Sequence, residues 1–164
     1  MGDLSMDSIR VTKYNPQYRD TNDVYTREEW TSFSDINKVF QGKLFSLNEY
    51  LLVEEKYIKA VKTILKEKNI KNLKIRDLEI YSEDLNLNLK EGDSIGSLNL
   101  NEVMKMILRE NIWCKLVSDD YFEIHFGYDY YMYFVSNEIS NRVIESVEEI
   151  EGLFVEKRKS PYIR

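Results

Sequence analysis

The stretch Trp113-Cys114-Lys115-Leu116-Val117-Ser118-Asp119-Asp120-Tyr121-Phe122-Glu123-Ile124-His125-Phe126-Gly127-Tyr128-Asp129-Tyr130-Tyr131-Met132-Tyr133-Phe134-Val135 decides how this chain folds. Three runs rich in β-branched and aromatic residues, 113–117, 121–126 and 130–135, are separated by Ser118-Asp119-Asp120 and Gly127-Tyr128-Asp129. Three-residue connections of this polar, glycine-containing kind are common hairpin loops, so the spacing predicts a three-stranded antiparallel meander. Side chains alternate across a strand, and the loop length therefore decides which residues share a face. With both loops three residues long, Leu116 lies opposite Phe122, Cys114 and Met132 opposite Ile124, and Phe126 opposite Tyr130. That face is apolar. The other carries Trp113, His125 and Tyr131 in one row and Lys115, Glu123 and Tyr133 in the next. A two-residue turn at Gly127-Tyr128 is stereochemically acceptable but puts Asp129 beside the core, which favours the longer loop.

Working outward, Ser136 or Asn137 is placed to cap a helix with the apolar stripe Ile139, Val143, Ile144, Val147 and Ile150, ended by Gly152. Leu153-Phe154-Val155 then returns to the sheet, and residues 157–164, with Lys157, Arg158, Lys159 and Arg164, form an exposed basic tail. Towards the N-terminus, Ser46-Leu47-Asn48-Glu49 has the form of a capping box. The helix it opens presents Leu47, Tyr50, Leu51, Tyr57, Ile58, Val61, Ile64 and Leu65 to the core. A similar signature, Asn99-Leu100-Asn101-Glu102, opens a helix buried through Leu100, Val103, Met104, Ile107 and Leu108. The alternating run Ile9–Tyr14 reads as a strand, Glu29-Trp30-Thr31-Ser32-Phe33 as a second strand pairing back, and residues 77–81 as a short helix. Residues 1–8 are expected to fray, and 82–96 to form the least structured connection.

Together these readings predict one α+β domain over residues 1–164: an antiparallel sheet with a C-terminal three-stranded meander, packed against one long and two to three shorter helices. A chain of 164 residues, 43% apolar and 32% charged, has enough length and apolar content for one sizeable core. The sole cysteine, Cys114, lies in an apolar run and reads as a buried reduced thiol. No segment is long and apolar enough to span a bilayer, and the first residues lack a secretory pattern, so the expected address is cytoplasmic, without a membrane partner.

Few catalytic constellations survive inspection. One histidine and one cysteine exclude histidine-rich and cysteine-based metal sites within the chain. Asp20–Tyr25 lacks the glycine of a calcium loop, and Gly92–Ser97 lacks the lysine of a phosphate loop. Adjacent carboxylates such as Glu54/Glu55 and Asp119/Asp120 read as solvated charge. No metal and no cofactor is implied. A net charge of −6 repels nucleic acid and favours basic partners.

The unusual feature is the second face of the meander, with Trp113, Tyr121, Glu123, His125, Tyr131 and Tyr133 as a partner-binding set. The reading is a non-enzymatic protein-binding domain, in its sharpest form a neutralising, immunity-type protein for a basic partner. The alternative is a small enzyme or ligand-binding domain in which His125 acts with Glu123 and Tyr131. A third use of the patch is a homo-oligomer interface. Against all three stands a plainer reading, in which another element of the chain covers that face.

Overall fold

The computed structural model describes residues 6–82 and 88–163. Nine strands and three helices follow in the order β1 (Asp7–Thr12), β2 (Val39–Phe40), β3 (Lys43–Leu44), α1 (Leu47–Glu67), β4 (Leu73–Ile80), β5 (Ser94–Ile95), α2 (Ser97–Leu108), β6 (Ile112–Ser118), β7 (Phe122–Phe126), β8 (Met132–Ser136), α3 (Asn141–Glu148) and β9 (Phe154–Glu156). Seven of the strands form one sheet in the order β5-β4-β6-β7-β8-β1-β9, antiparallel at every pairing. β2 and β3 make a separate small hairpin. None of the described helices is long and apolar enough to cross a membrane.

The predicted meander is present as β6, β7 and β8. Its register slides by two residues at each turn: Leu116 pairs with Ile124 and Ser118 with Phe122, while Phe126 pairs with Met132 and Ile124 with Phe134. An even slip preserves the faces. Cys114, Leu116, Phe122, Ile124, Phe126, Met132 and Phe134 therefore share one core with Ile9 and Val11 of β1 and with the buried faces of the helices. The Cys114 thiol is fully buried, which pushes its pKa up to about 12.

Helix α1 begins where its cap requires, with Ser46 Oγ accepting from the Glu49 amide at 3.1 Å. Tyr50, Tyr57, Ile58, Ala60, Val61 and Ile64 are buried, whereas Leu47 and Leu51, read as core residues, are exposed. Glu54 takes their place. It is 2% exposed and accepts two hydrogen bonds from Arg109, at 2.8 and 2.7 Å, that tie α1 to the end of α2. The solvated charge expected of Glu54 is thus a buried carboxylate paired with a half-buried guanidinium, and loss of Arg109 would leave that carboxylate buried without its ion-pair partner.

Four further expectations are corrected. Residues 29–33 form no strand, because the Thr31 and Ser32 amides donate to the Asp35 carboxylate and the Trp30 carbonyl accepts from the Tyr14 hydroxyl. Residues 77–81 form no helix; β4 continues across a bulge to Ile80: Asp77 turns to φ 57°, and the Asp77 and Leu78 amides released from the ladder donate to the Glu91 carboxylate. Helix α2 starts at Ser97, ahead of its predicted signature, with Gly96 as N-cap and no side-chain cap. Helix α3 is capped by Ser140, which accepts from Val143, later than the expected Ser136 or Asn137. Of the two ends expected to be loose, Asp7 and Ser8 belong to β1, while residues 1–5 and 164 lie outside the described residues, as do 83–87 of the middle connection.

Candidate functional site

The face of the sheet opposite the helices is a row of polar and aromatic side chains. Arg76 lies opposite Lys115, His125 opposite Tyr133, Tyr133 opposite Arg10, and Arg10 opposite Glu156. Parity therefore places Glu123, His125 and Tyr133 on that side, as the sequence predicts. Their environment differs from the expected open patch. After β9 the chain turns back over this face, and the segment read as an exposed tail contributes Ser160, only 2% exposed. The Ser160 amide donates to Ser8 Oγ at 3.0 Å, its hydroxyl lies 2.7 Å from His125 Nδ1, and the Tyr162 carbonyl accepts from Lys115 Nζ at 2.7 Å. The strap is held by polar groups of β1, β7 and β6.

His125 is 1% exposed beneath it. Its Nε2 lies 2.9 Å from Glu123 Oε1, and the Tyr162 ring packs edge-on against the imidazole. The contact with His125 holds the Glu123 carboxyl below the usual range. Serine, imidazole and carboxylate thus stand in a chain that resembles a nucleophile, its base and an orienting acid. Ser160 Oγ is already engaged by the Tyr162 amide at 3.2 Å, and neither Ser160 nor His125 is in the lining of the two cavities that border Tyr162. Tyr131, the third member of the predicted catalytic group, is elsewhere: Arg19 donates to its hydroxyl at 3.1 Å and the Arg10 guanidinium sits 4.3 Å over its ring.

The predicted partner-binding set is consequently split. His125 and Tyr133 are buried, Trp113, Glu123 and Tyr131 are half-buried, and Tyr121 alone of the set is exposed, at a turn removed from the others. The covering elements are the chain's own C-terminal segment and the loop after β1.

What stands open is the end of the sheet beside the β7–β8 connection. A cavity of about 590 Å3 lies there, within the usual range for small-ligand pockets. Its floor is apolar, made by Ile107 and Leu108 of α2, Ile112 of β6 and Met132 of β8. Its aromatic walls include Trp113 and Tyr162, whose ring centroids are 5.5 Å apart. Around the mouth stand Glu79, Tyr81, Glu110, Tyr128 and Asp129, with Tyr128 87% exposed. No lysine or arginine lines it. A larger depression of about 840 Å3 beside α1 mixes lysines with glutamates, so its charges offset one another.

The cleft is held rigidly from below. Trp113 Nε1 donates to the Phe126 carbonyl at 2.8 Å, fixing the indole against the turn. Within the turn, Asp129 and Tyr130 both adopt left-handed backbone, φ 58° and 65°. For a tyrosine this conformation costs about 1–3 kcal/mol and persists only where packing enforces it. Here the Tyr130 ring is driven into the core against Trp30, Tyr50 and Tyr57, its hydroxyl donates to the Leu108 carbonyl at 2.8 Å, and its own carbonyl accepts from Tyr57 at 2.7 Å. The anchored ring throws Tyr128 and Asp129 outward as the rim.

Electrostatically the mouth is negative. Tyr81 donates to Glu79, and that bond, with burial and the Glu79 charge, pushes the Tyr81 phenol up to about 12; Tyr128 and Tyr162 act in the same direction. Glu79, Glu110 and Asp129 form no ion pair with a lysine or arginine among the described residues. Also among those residues, no three His, Cys, Asp or Glu side chains converge as a metal site.

Sequence reasoning named Trp113 and Tyr131, both in the lining of the cleft, but missed Glu79, Tyr81, Glu110, Tyr128, Asp129 and Tyr162. The run Gly127-Tyr128-Asp129-Tyr130 carried the one legible signal, an aromatic hairpin turn. No protein-family model, no curated protein and no solved structure matches the chain.

Proposed function

We propose that this chain is a non-enzymatic binding domain that docks a basic protein at the end of its sheet, in its sharpest form a neutralising, immunity-type partner. One observation carries the reading: an aromatic cleft rimmed by Glu79, Glu110 and Asp129, with no basic residue in its lining. Exposed phenols at its edge, Tyr81 and Tyr128, supply large contact area at small entropic cost, as interface anchors do. The net charge of −6 adds a steering field for a basic partner. This moves the binding surface away from the face over His125 and on to the adjoining sheet end.

The arrangement of Ser160, His125 and Glu123 favours a second reading, a hydrolase using Ser160 as nucleophile. Weighing against it is the burial of both Ser160 and His125, which line neither of the two cavities that border Tyr162. The test is affinity capture from the cell of origin with the wild-type chain and with the double variant Tyr81→Ala/Tyr128→Ala. The expected result is one basic protein retained by the wild type, with salt-sensitive association, and lost from the variant. Retention of the same protein by both chains removes this surface, and retention of none removes the binding reading.

A further inference from the structure

We infer that the cleft is an anchor site for the cationic head of a lysine- or arginine-type side chain, an inference that rests on the partner-binding reading and gives its chemistry. The molecule already contains a filled site of this composition. Lys13 Nζ lies 4.0 Å from the centre of the Trp30 ring, 4.1 Å from that of Tyr14, and 2.8 Å from Glu29 Oε1. An indole, a phenol and a carboxylate there surround one ammonium, the arrangement in which the negative faces of the rings and a formal charge act on the same cation.

The cleft repeats these components with no lysine or arginine in its lining; of its rings, Tyr131 already carries the Arg10 guanidinium 4.3 Å from its centre. Trp113 and Tyr162 supply paired rings, Glu79 and Tyr81 a hydrogen-bonded carboxylate and phenol, and Glu110 and Asp129 further negative charge. The apolar floor suits the methylene stem of a long basic side chain, which lies along greasy surface while its head seeks charge and ring faces. An anionic ligand is repelled by the three carboxylates. A neutral apolar ligand fits the floor and leaves Glu79 and Glu110 without an ion-pair partner, and discrimination between charged and neutral ligands is therefore the property to measure.

The experiment is an NMR titration of 15N-labelled protein with N-acetyl-arginine amide, N-acetyl-lysine amide, the neutral N-acetyl-norleucine amide and tetramethylammonium. The Trp113 indole N–H reports on the cleft, and the buried Trp30 indole serves as an internal control. The expected result is a saturable shift of Trp113 with the arginine and lysine amides, at least threefold weaker for the norleucine amide. Glu79→Gln and Tyr128→Ala, both at exposed positions that spare the core, each weaken binding about threefold to tenfold, the range expected for a cation–ring or surface-charge contact. Equal binding of the norleucine amide, or no saturable shift of Trp113 through the millimolar range, overturns the inference. Tighter binding of tetramethylammonium than of both amides overturns it in favour of a free quaternary ammonium ligand. If the amides do not bind yet a captured protein is lost from Tyr81→Ala/Tyr128→Ala, the cation chemistry fails and the partner reading stands. If the amides bind while no protein is captured, the cation site stands and the partner reading fails.

Discussion

Two aromatic, acidic sites in this molecule differ first in their charge: the site at Trp30 holds its own lysine and the site at Trp113 has no lysine or arginine in its lining. At the first, Lys13 is almost wholly buried between Trp30 and Tyr14, and Glu29, which accepts from Lys13, also accepts from the Tyr25 hydroxyl at 2.7 Å. That site is structural. Its indole stacks on Phe45 at 4.4 Å and its rings belong to the core. At the second, rings and carboxylates of similar kind surround open volume at the edge of the sheet, and one wall, Tyr162, is supplied by a strap and not by a strand. A site that satisfies itself adds to stability, whereas one left open contributes little to folding and is available to a ligand.

That contrast predicts a graded series. The largest effect is expected for Trp30→Ala, which removes a core indole and opens the Lys13 site; large-to-small aromatic changes of this type cost about 3–5 kcal/mol. Urea unfolding at neutral pH measures it, and a loss below about 1 kcal/mol, the scale of a surface change, makes the Lys13 site a surface ornament.

Lys13 itself gives a pH signature. Burial lowers its pKa from 10.5 to about 8, so between these values the unfolded chain binds more protons than the folded one. Stability from this group therefore rises with pH across the window, by about 1–2 kcal/mol from pH 8 to 9.5. Cys114 and the buried tyrosines act oppositely: their pKa values are raised on folding, so their contribution is lost as pH climbs past the unfolded thiol and phenol values. The difference between wild type and Lys13→Met isolates the lysine. The variant is expected to lose stability relative to wild type by that amount as pH rises from 8 to 9.5, and a constant difference rejects the buried-ammonium description.

The strap is tested by Ser160→Ala. The substitution removes the hydroxyl contacts with His125 and with the Tyr162 amide, an expected cost of about 1–2 kcal/mol for buried hydrogen bonds. Hydrogen exchange is expected to quicken most at the Ser160, Tyr162 and Ile163 amides, with cation binding at Trp113 weakened because Tyr162 is no longer held. Uniform exchange across the sheet would instead show that the strap is incidental to the cleft.

The smallest stability effect belongs to Tyr128→Ala. With 87% of the residue in solvent, its loss is expected to change unfolding free energy by no more than about 0.5 kcal/mol while reducing ligand binding severalfold. A large destabilisation places Tyr128 in the fold and not in the site.

Legibility followed the range of the forces involved. The inner face of β6, β7 and β8 was readable because alternation along a strand is local, and because a register error of two residues leaves every side chain on its own face. The Ser46 cap was readable for the same reason: donor and acceptor are three residues apart. The error over Glu54 had a different cause, since its partner Arg109 is 55 residues away.

The amino-acid order by itself determined that this chain builds an antiparallel meander with one greasy face, that Cys114 is interior, and that indole, imidazole and phenols gather on the other side of the sheet. Only the tertiary structure decided that this other side is closed by Ser160 and Tyr162 and that the open ground lies at the sheet end. The reason is that periodicity specifies which way a side chain points relative to its own strand. What lies in front of that side chain depends on where a distant segment docks, through single contacts such as Lys115 to the Tyr162 carbonyl that leave no repeating pattern in the sequence.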